Sequence, residues 1–176
     1  MADLLAQKNI LPMLIADNGH PFDDPDYVYE LKFDGERCLA YVDGKETVLQ
    51  NRRLLLVTSK FPELSDLHRQ VRVPCILDGE LVVLRDGKPD FGELVRRSLM
   101  SNRIKIEFAA KQAPATYIAF DILYYQDQQV TGRPLTERKE LLKKAVRENE
   151  RLAVSRIVEE KGRALFEAAK TMDLEG

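Results

Sequence analysis

From Pro74 to Leu84 the chain is apolar and β-branched except where Asp78-Gly79-Glu80 interrupts it. A run of this kind predicts a strand. Carboxylates inside it cost free energy unless something binds them, so the strand has to serve both a core and a polar partner. Asp86-Gly87 closes it as a tight turn, and Asp90 starts a short helix. Thr116 to Tyr125 reads as another strand, apolar apart from Asp121. From Tyr27 the pattern has period two. Tyr29, Leu31 and Phe33 share one face, while Val28, Glu30, Lys32 and Asp34 share the other, which predicts a strand ending at Asp34-Gly35.

Arg37 to Val42, the Asp43-Gly44 turn and Thr47 to Gln50 continue this as an antiparallel meander. The spacing of Leu141, Leu142 and Ala145 predicts an amphipathic helix over Thr136 to Asn149, and a last helix follows over Lys161 to Met172. Residues 1 to 26, broken by prolines, carry no long element. Strands and helices do not alternate as a parallel βαβ fold requires. The predicted fold class is α+β, antiparallel β-sheets with flanking helices. A chain of 176 residues is one ordinary domain's worth, short for an enzyme with several substrates.

Composition narrows the function classes. With 44% hydrophobic and 32% charged residues, the sequence reads as a folded chain rather than a disordered tail. A formal net charge of -2 argues against a grip on nucleic acid by bulk positive charge, so any DNA contact has to be local or shared with parts outside this sequence. Cys38 and Cys75 lack the spacing of a zinc site or a disulfide framework, which fits a reducing cytoplasm. No long apolar run suggests secretion or membrane insertion. His20 and His68 stand isolated, and no catalytic histidine is expected.

The segment Glu30-Leu31-Lys32-Phe33-Asp34-Gly35-Glu36-Arg37 places a lysine just before a glycine turn and an arginine. An amine can attack phosphorus only when deprotonated, which requires partial burial or neighbouring cations. Taken alone, Lys32 reads as a solvated lysine on a strand edge, since lysines are overwhelmingly exposed surface residues. Its neighbours decide otherwise. The segment resembles the KxDGxR lysine motif of the covalent nucleotidyltransferases, which comprise DNA ligases, RNA ligases and capping enzymes. Further blocks match in order: Asn51-Arg52, Phe61-Pro62-Glu63-Leu64, Asp78-Gly79-Glu80, Phe120-Asp121-Ile122-Leu123 and Glu175-Gly176. Phe61-Pro62-Glu63-Leu64 and Arg133-Pro134-Leu135-Thr136-Glu137-Arg138 look especially like bacterial and archaeal ATP-dependent DNA ligases.

That resemblance implies an ATP-grasp-like nucleotidyltransferase (adenylation) domain over residues 1–176, with ATP and Mg²⁺ as cofactors. Lys32 would take AMP from ATP as a phosphoramide. Glu30 would accept a hydrogen bond from the adenine amino group, with Leu31 beside it in the nucleotide pocket; the plain alternative for Glu30 is a cross-strand charge partner. Arg37 and Arg52 would hold ribose and phosphate oxygens, for which a surface ion pair is the alternative. Glu80 would bind the ribose hydroxyl or the metal, with a turn residue as the alternative; Phe120 would stack on adenine, although without the motif such an aromatic is more often core; and Glu175 would coordinate Mg²⁺. Asp34 would bond the glycine turn that presents Lys32, and Gly35 would give the backbone room to turn.

The family pattern continues past Glu175-Gly176 into a block of lysines and an oligonucleotide-binding domain, so the sequence reads as a domain incomplete at its C-terminus, weak in self-adenylation. Its implied partners are nicked double-stranded DNA and, through missing domains, end-joining or repair proteins. Its implied location is the cytoplasm, at the nucleoid, with no membrane association. Two other readings stand beside this one: an RNA ligase or capping-type nucleotidyltransferase, and a catalytically silent nucleotide-binding module.

Overall fold

A computed structural model describes residues 4–13 and 19–174. A short helix, α1 (Leu4–Gln7), precedes three strands: β1 (Val28–Glu30), β2 (Glu36–Val42) and β3 (Thr47–Asn51). Three 3-10 turns lead to β4 (Cys75–Arg85), β5 (Lys88–Pro89), α2 (Phe91–Ser98) and α3 (Arg103–Gln112). Then come β6 (Ala115–Tyr125), β7 (Gln128–Gln129), α4 (Leu135–Ala145), β8 (Leu152–Val154), β9 (Ile157–Glu159) and α5 (Gly162–Thr171). Among the described residues, the main sheet runs β3-β2-β4-β6-β7, with β5 on β4 and β8 on β6, while β1 and β9 form a separate pair. Every pairing is antiparallel except β6 with β8. The fold is therefore α+β, as predicted.

The two faces of the main sheet do different work. Cys38, Ala40 and Val42 of β2, with Cys75, Leu77 and Leu81 of β4 and Tyr117, Ala119 and Ile122 of β6, build the larger core. On the other face Leu39, Tyr41 and Ile76 gather a smaller cluster with Leu4, Leu5 and Ile10. Register explains the carboxylates in β4: Asp78 lies opposite Leu39, and Glu80 opposite Arg37, so both share the second face. Gly79 faces the core, where a Cβ would collide with the Tyr117 ring. One strand thus meets a core and a polar site at once.

Local chemistry sets the boundaries. Asp86 and Gly87 have φ of 52° and 80°, the positive values that a two-residue hairpin turn demands. The Asp90 side chain accepts from the Glu93 amide, capping α2 as expected. Other boundaries differ from the sequence reading. The first strand stops at Glu30, so Lys32 sits in an irregular segment rather than on a strand face. Helix α4 stops at Ala145, because Val146 turns to extended backbone and bridges Val71. Helix α3 is unpredicted: Ile106 and Ala109 are buried, but Ile104 and Phe108 stand exposed and blur the periodicity.

Candidate active site

The site is assembled where the segment after β1 crosses the second face of the main sheet. Gly35 makes this possible by closeness rather than by its dihedrals. It does not have positive φ, and a Cβ there would overlap the Leu81 carbonyl oxygen and the Glu80 side chain. The segment that carries Lys32 is thereby laid against β4.

Arg37, at the start of β2, donates from Nε and Nη2 to the two carboxylate oxygens of Asp78 at 2.6 and 2.8 Å. Its guanidinium carbon also lies 4.3 Å from the centroid of the Phe120 ring. Burial pushes the Asp78 carboxyl up, and Arg37 opposes that push. For Arg37, burial pulls downward, but the hydrogen bonds and charge of Asp78 outweigh it and leave the guanidinium above its ordinary value.

Phe120 owes its placement to a register shift in β6. Gly79 pairs with Ala119, but the next pair is Asp78 with Asp121, so Phe120 is the extra residue of a bulge. Asp121 is then clamped by Arg138 of α4, whose Nε and Nη2 donate to it at distances from 2.8 to 3.2 Å. Its Oδ1 also accepts from the Ile122 amide at 2.8 Å. Asp121 therefore serves to fix the strand beside Phe120.

Burial pushes the Glu80 carboxyl up to about 7, with Arg37 and then Lys32 pulling it down and Asp78 and Asp34 adding to the rise. Lys32 and Asp34 are thus close enough to Glu80 to be felt by it. Lys32 itself is exposed. It lines a cleft of about 260 Å³ together with Glu30, Leu31, Phe22, Tyr29 and Phe166. Helix α5 closes against β1 because a Cβ at Gly162 would meet Phe22 and Tyr29.

Glu30, the last residue of β1, makes an ion pair from Oε2 to Lys139 Nζ at 2.5 Å. Its Oε1 is buried and lacks a hydrogen-bond partner among the described residues. Lys139 Nζ also donates to the Phe120 carbonyl oxygen. The cross-strand partner weighed for Glu30 is thus replaced by a lysine from a helix.

The structure brings together Lys32, Glu30, Leu31, Arg37, Glu80 and Phe120. Arg52 occupies an exposed turn after β3, next to Asn51, which donates to Glu36 at 2.9 Å. Glu175, the predicted metal ligand, lies outside the described residues. Among the described residues, no group of three His, Cys, Asp or Glu side chains is arranged to hold a metal ion. Cys38 and Cys75 are buried free thiols.

Sequence reasoning missed Lys139 and gave no role to Arg138, the last residue of a block it had singled out. The signal for Lys139 was present: at helical spacing it shares the buried face of α4 with Leu142 and Ala145, an unrequited charge on an apolar stripe. The Phe61-Pro62-Glu63-Leu64 block proves to be core. Phe61 and Leu64 are fully buried, and Glu63 receives both Nη groups of the buried Arg97 and, at 2.7 Å, the Ala115 amide.

A sheet face carrying carboxylates and an aromatic ring under an arginine, with a lysine on an adjacent irregular segment, is an arrangement that a nucleotidyltransferase domain can use. The chain belongs to the ATP dependent DNA ligase domain family, whose sequence pattern matches residues 12–176. It is 36% identical over 168 residues to the SPbeta prophage-derived DNA ligase-like protein LigB of Bacillus subtilis, which covers 95% of this chain and 58% of that protein. It is 35% identical over 123 residues to DNA ligase C of Mycobacterium tuberculosis, covering 69% of this chain and 34% of that protein. The structure resembles the ligase domain of M. tuberculosis LigD with a TM-score of 0.75 and 25% identity, over 97% of this chain and 54% of that one. A mycobacterial DNA ligase D complexed with ATP and MES shares the fold, with a TM-score of 0.76 and 24% identity over 96% of this chain and 53% of that one. The chain thus spans little more than half the length of the relative and ligase structures it covers most fully. Among the described residues no helix is long and apolar enough to cross a membrane.

Proposed function

We propose that this chain supplies the adenylation half of an ATP-dependent DNA ligase, with Lys32 as the nucleophile. The Lys32 amine, having lost its proton, attacks the α-phosphorus of ATP. A nitrogen–phosphorus bond forms, the bond to the bridging oxygen of the β-phosphate breaks, and pyrophosphate leaves in line. The product, lysyl-AMP, is what the whole protein would pass to the 5′-phosphate of nicked double-stranded DNA before the 3′-hydroxyl seals the strand. A cytoplasmic location at the nucleoid, and end-joining or repair partners, follow from the same reading.

One observation carries it: the buried Glu30 Oε1, two residues from Lys32, is an acceptor without a donor. A buried oxygen of this kind is costly unless a ligand satisfies it, and the 6-amino group of adenine is a fitting donor. Phe120 then serves as the stacking surface for the base, with Arg37 behind it. Arg37 is committed to Asp78 through Nε and Nη2, which leaves Nη1 to serve a ribose or phosphate oxygen. Arg52, in its exposed turn, would complete the phosphate contacts. Glu80 suits a ribose hydroxyl, and also suits Mg²⁺, which is held through one or two carboxylates plus substrate phosphates and waters. Mg²⁺, when bound with Glu80 and Glu175, would neutralise charge on the α-phosphate.

The test is intact-mass spectrometry of the chain after incubation with ATP and Mg²⁺, followed by addition of pyrophosphate. A covalent adenylate that pyrophosphate removes as ATP supports the reading. Reversible ATP binding with no covalent adduct, in the chain and in a version extended with the downstream segment, contradicts it.

A further inference from the structure

Lys139 is almost completely buried, 2% exposed, in the middle of α4. A lysine in that position needs partners for its ammonium. It has two, drawn from different sheets: the Glu30 carboxylate at the end of β1, at 2.5 Å, and the Phe120 carbonyl oxygen at the bulge of β6. One ammonium therefore joins the two residues read above as base contacts, Glu30 at the edge and Phe120 at the ring face. It also occupies one Glu30 oxygen and leaves the other, Oε1, buried and unpartnered. Neighbouring Arg138 fixes Asp121 on the same strand, so successive residues of α4 hold Phe120 and Asp121 in turn.

We propose that Lys139 is a positioning residue that sets purine selectivity, holding the Glu30 acceptor at a fixed height relative to the Phe120 ring. The inference rests on the reading of Glu30 and Phe120 as adenine contacts. A carboxylate held in this way can only accept, so it takes the 6-amino group of adenine and opposes the 6-oxo group of guanine or hypoxanthine. Without Lys139, the Glu30 side chain is free to turn toward water, and the bulge carbonyl loses its donor. Discrimination is then lost while the reacting groups remain in place.

The experiment measures lysyl-nucleotide formation by the chain with ATP, ITP and purine riboside triphosphate, which lacks the 6-amino group, for the parent, Lys139→Met and Glu30→Gln. The parent is expected to prefer ATP by roughly tenfold or more, the usual effect of one buried hydrogen bond. K139M is expected to bring the preference to within about twofold of unity by raising KM for ATP, leaving the rate at saturation within about threefold of the parent. A K139M protein that keeps the parental preference overturns the proposal when E30Q has lost it. An E30Q protein that keeps the parental preference removes instead the reading of Glu30 on which the proposal rests, and the proposal with it. Should K139M fail to fold, K139R takes its place. In that case Lys139→Leu, which keeps apolar bulk but has no donor for either bond, is measured beside it, and a parental preference in K139L overturns the proposal.

Discussion

Arg37 is locked to Asp78 by two parallel hydrogen bonds of 2.6 and 2.8 Å, and this pairing holds the guanidinium over the Phe120 ring. The acid that seemed out of place in an apolar strand is therefore the anchor of a cation on the site face. On the proposed reading of Arg37 as a nucleotide contact, Asp78 acts on nucleotide binding at one remove, through the posture of Arg37.

Replacing Asp78 by Asn keeps the shape but loses the charge, leaving a half-buried guanidinium poorly paired. The expected cost is about 2–4 kcal/mol in stability, somewhat less than for breaking a fully buried ion pair because the Arg37 side chain is 27% exposed. A rise in KM for ATP is expected with it. Urea denaturation and adenylation kinetics check both; unchanged stability would show that Arg37 finds another partner.

Glu80 gives a pH signature. Burial raises its folded pKa from 4.5 to about 7, so the folded chain holds a proton that the unfolded chain has released. The corresponding stability is fully present below about pH 4.5 and is lost as pH rises through about 7. The total is at most about 3 kcal/mol for a shift of that size. Glu80→Gln is expected to flatten this slope between pH 5 and 7.5 on the order-of-magnitude scale above. Equal slopes in parent and variant, measured by denaturant midpoints across that window, would remove the assignment.

Glu63 and Arg97 form a buried pair far from this chemistry in purpose. Glu63→Ala leaves the Arg97 guanidinium without its carboxylate and the Ala115 amide without its acceptor. A loss of about 3–5 kcal/mol is expected. At temperatures where the variant is still folded, ATP preference over ITP should match the parent. A change in preference without a change in stability would place the pair in the site instead.

Much of this was legible in the sequence where one periodicity decided one element. The β2–β3 hairpin, the long strands β4 and β6 and the Asp90 cap follow from alternation, turn residues and capping chemistry. The Lys32 segment did not. Its alternation runs on to Asp34, yet the strand ends at Glu30: among the described residues β1 pairs with β9 alone over three residues, and Gly35 draws the chain onto β4. The grouping of Glu30, Arg37, Glu80 and Phe120 was accessible only through motif resemblance. What assembles it is tertiary: a register that puts Asp78 and Glu80 on the face opposite the core, and a bulge that singles out Phe120. Lys139 belonged to a helix that was predicted, but its partners come from two strands distant in sequence.

The most direct test of Lys32 as nucleophile is incubation with α-labelled ATP and Mg²⁺ followed by denaturing electrophoresis, with Lys32→Ala in parallel. Label that survives denaturation on the parent and is absent from K32A is the predicted result. Equal labelling of both proteins would contradict it and move the covalent chemistry to another residue.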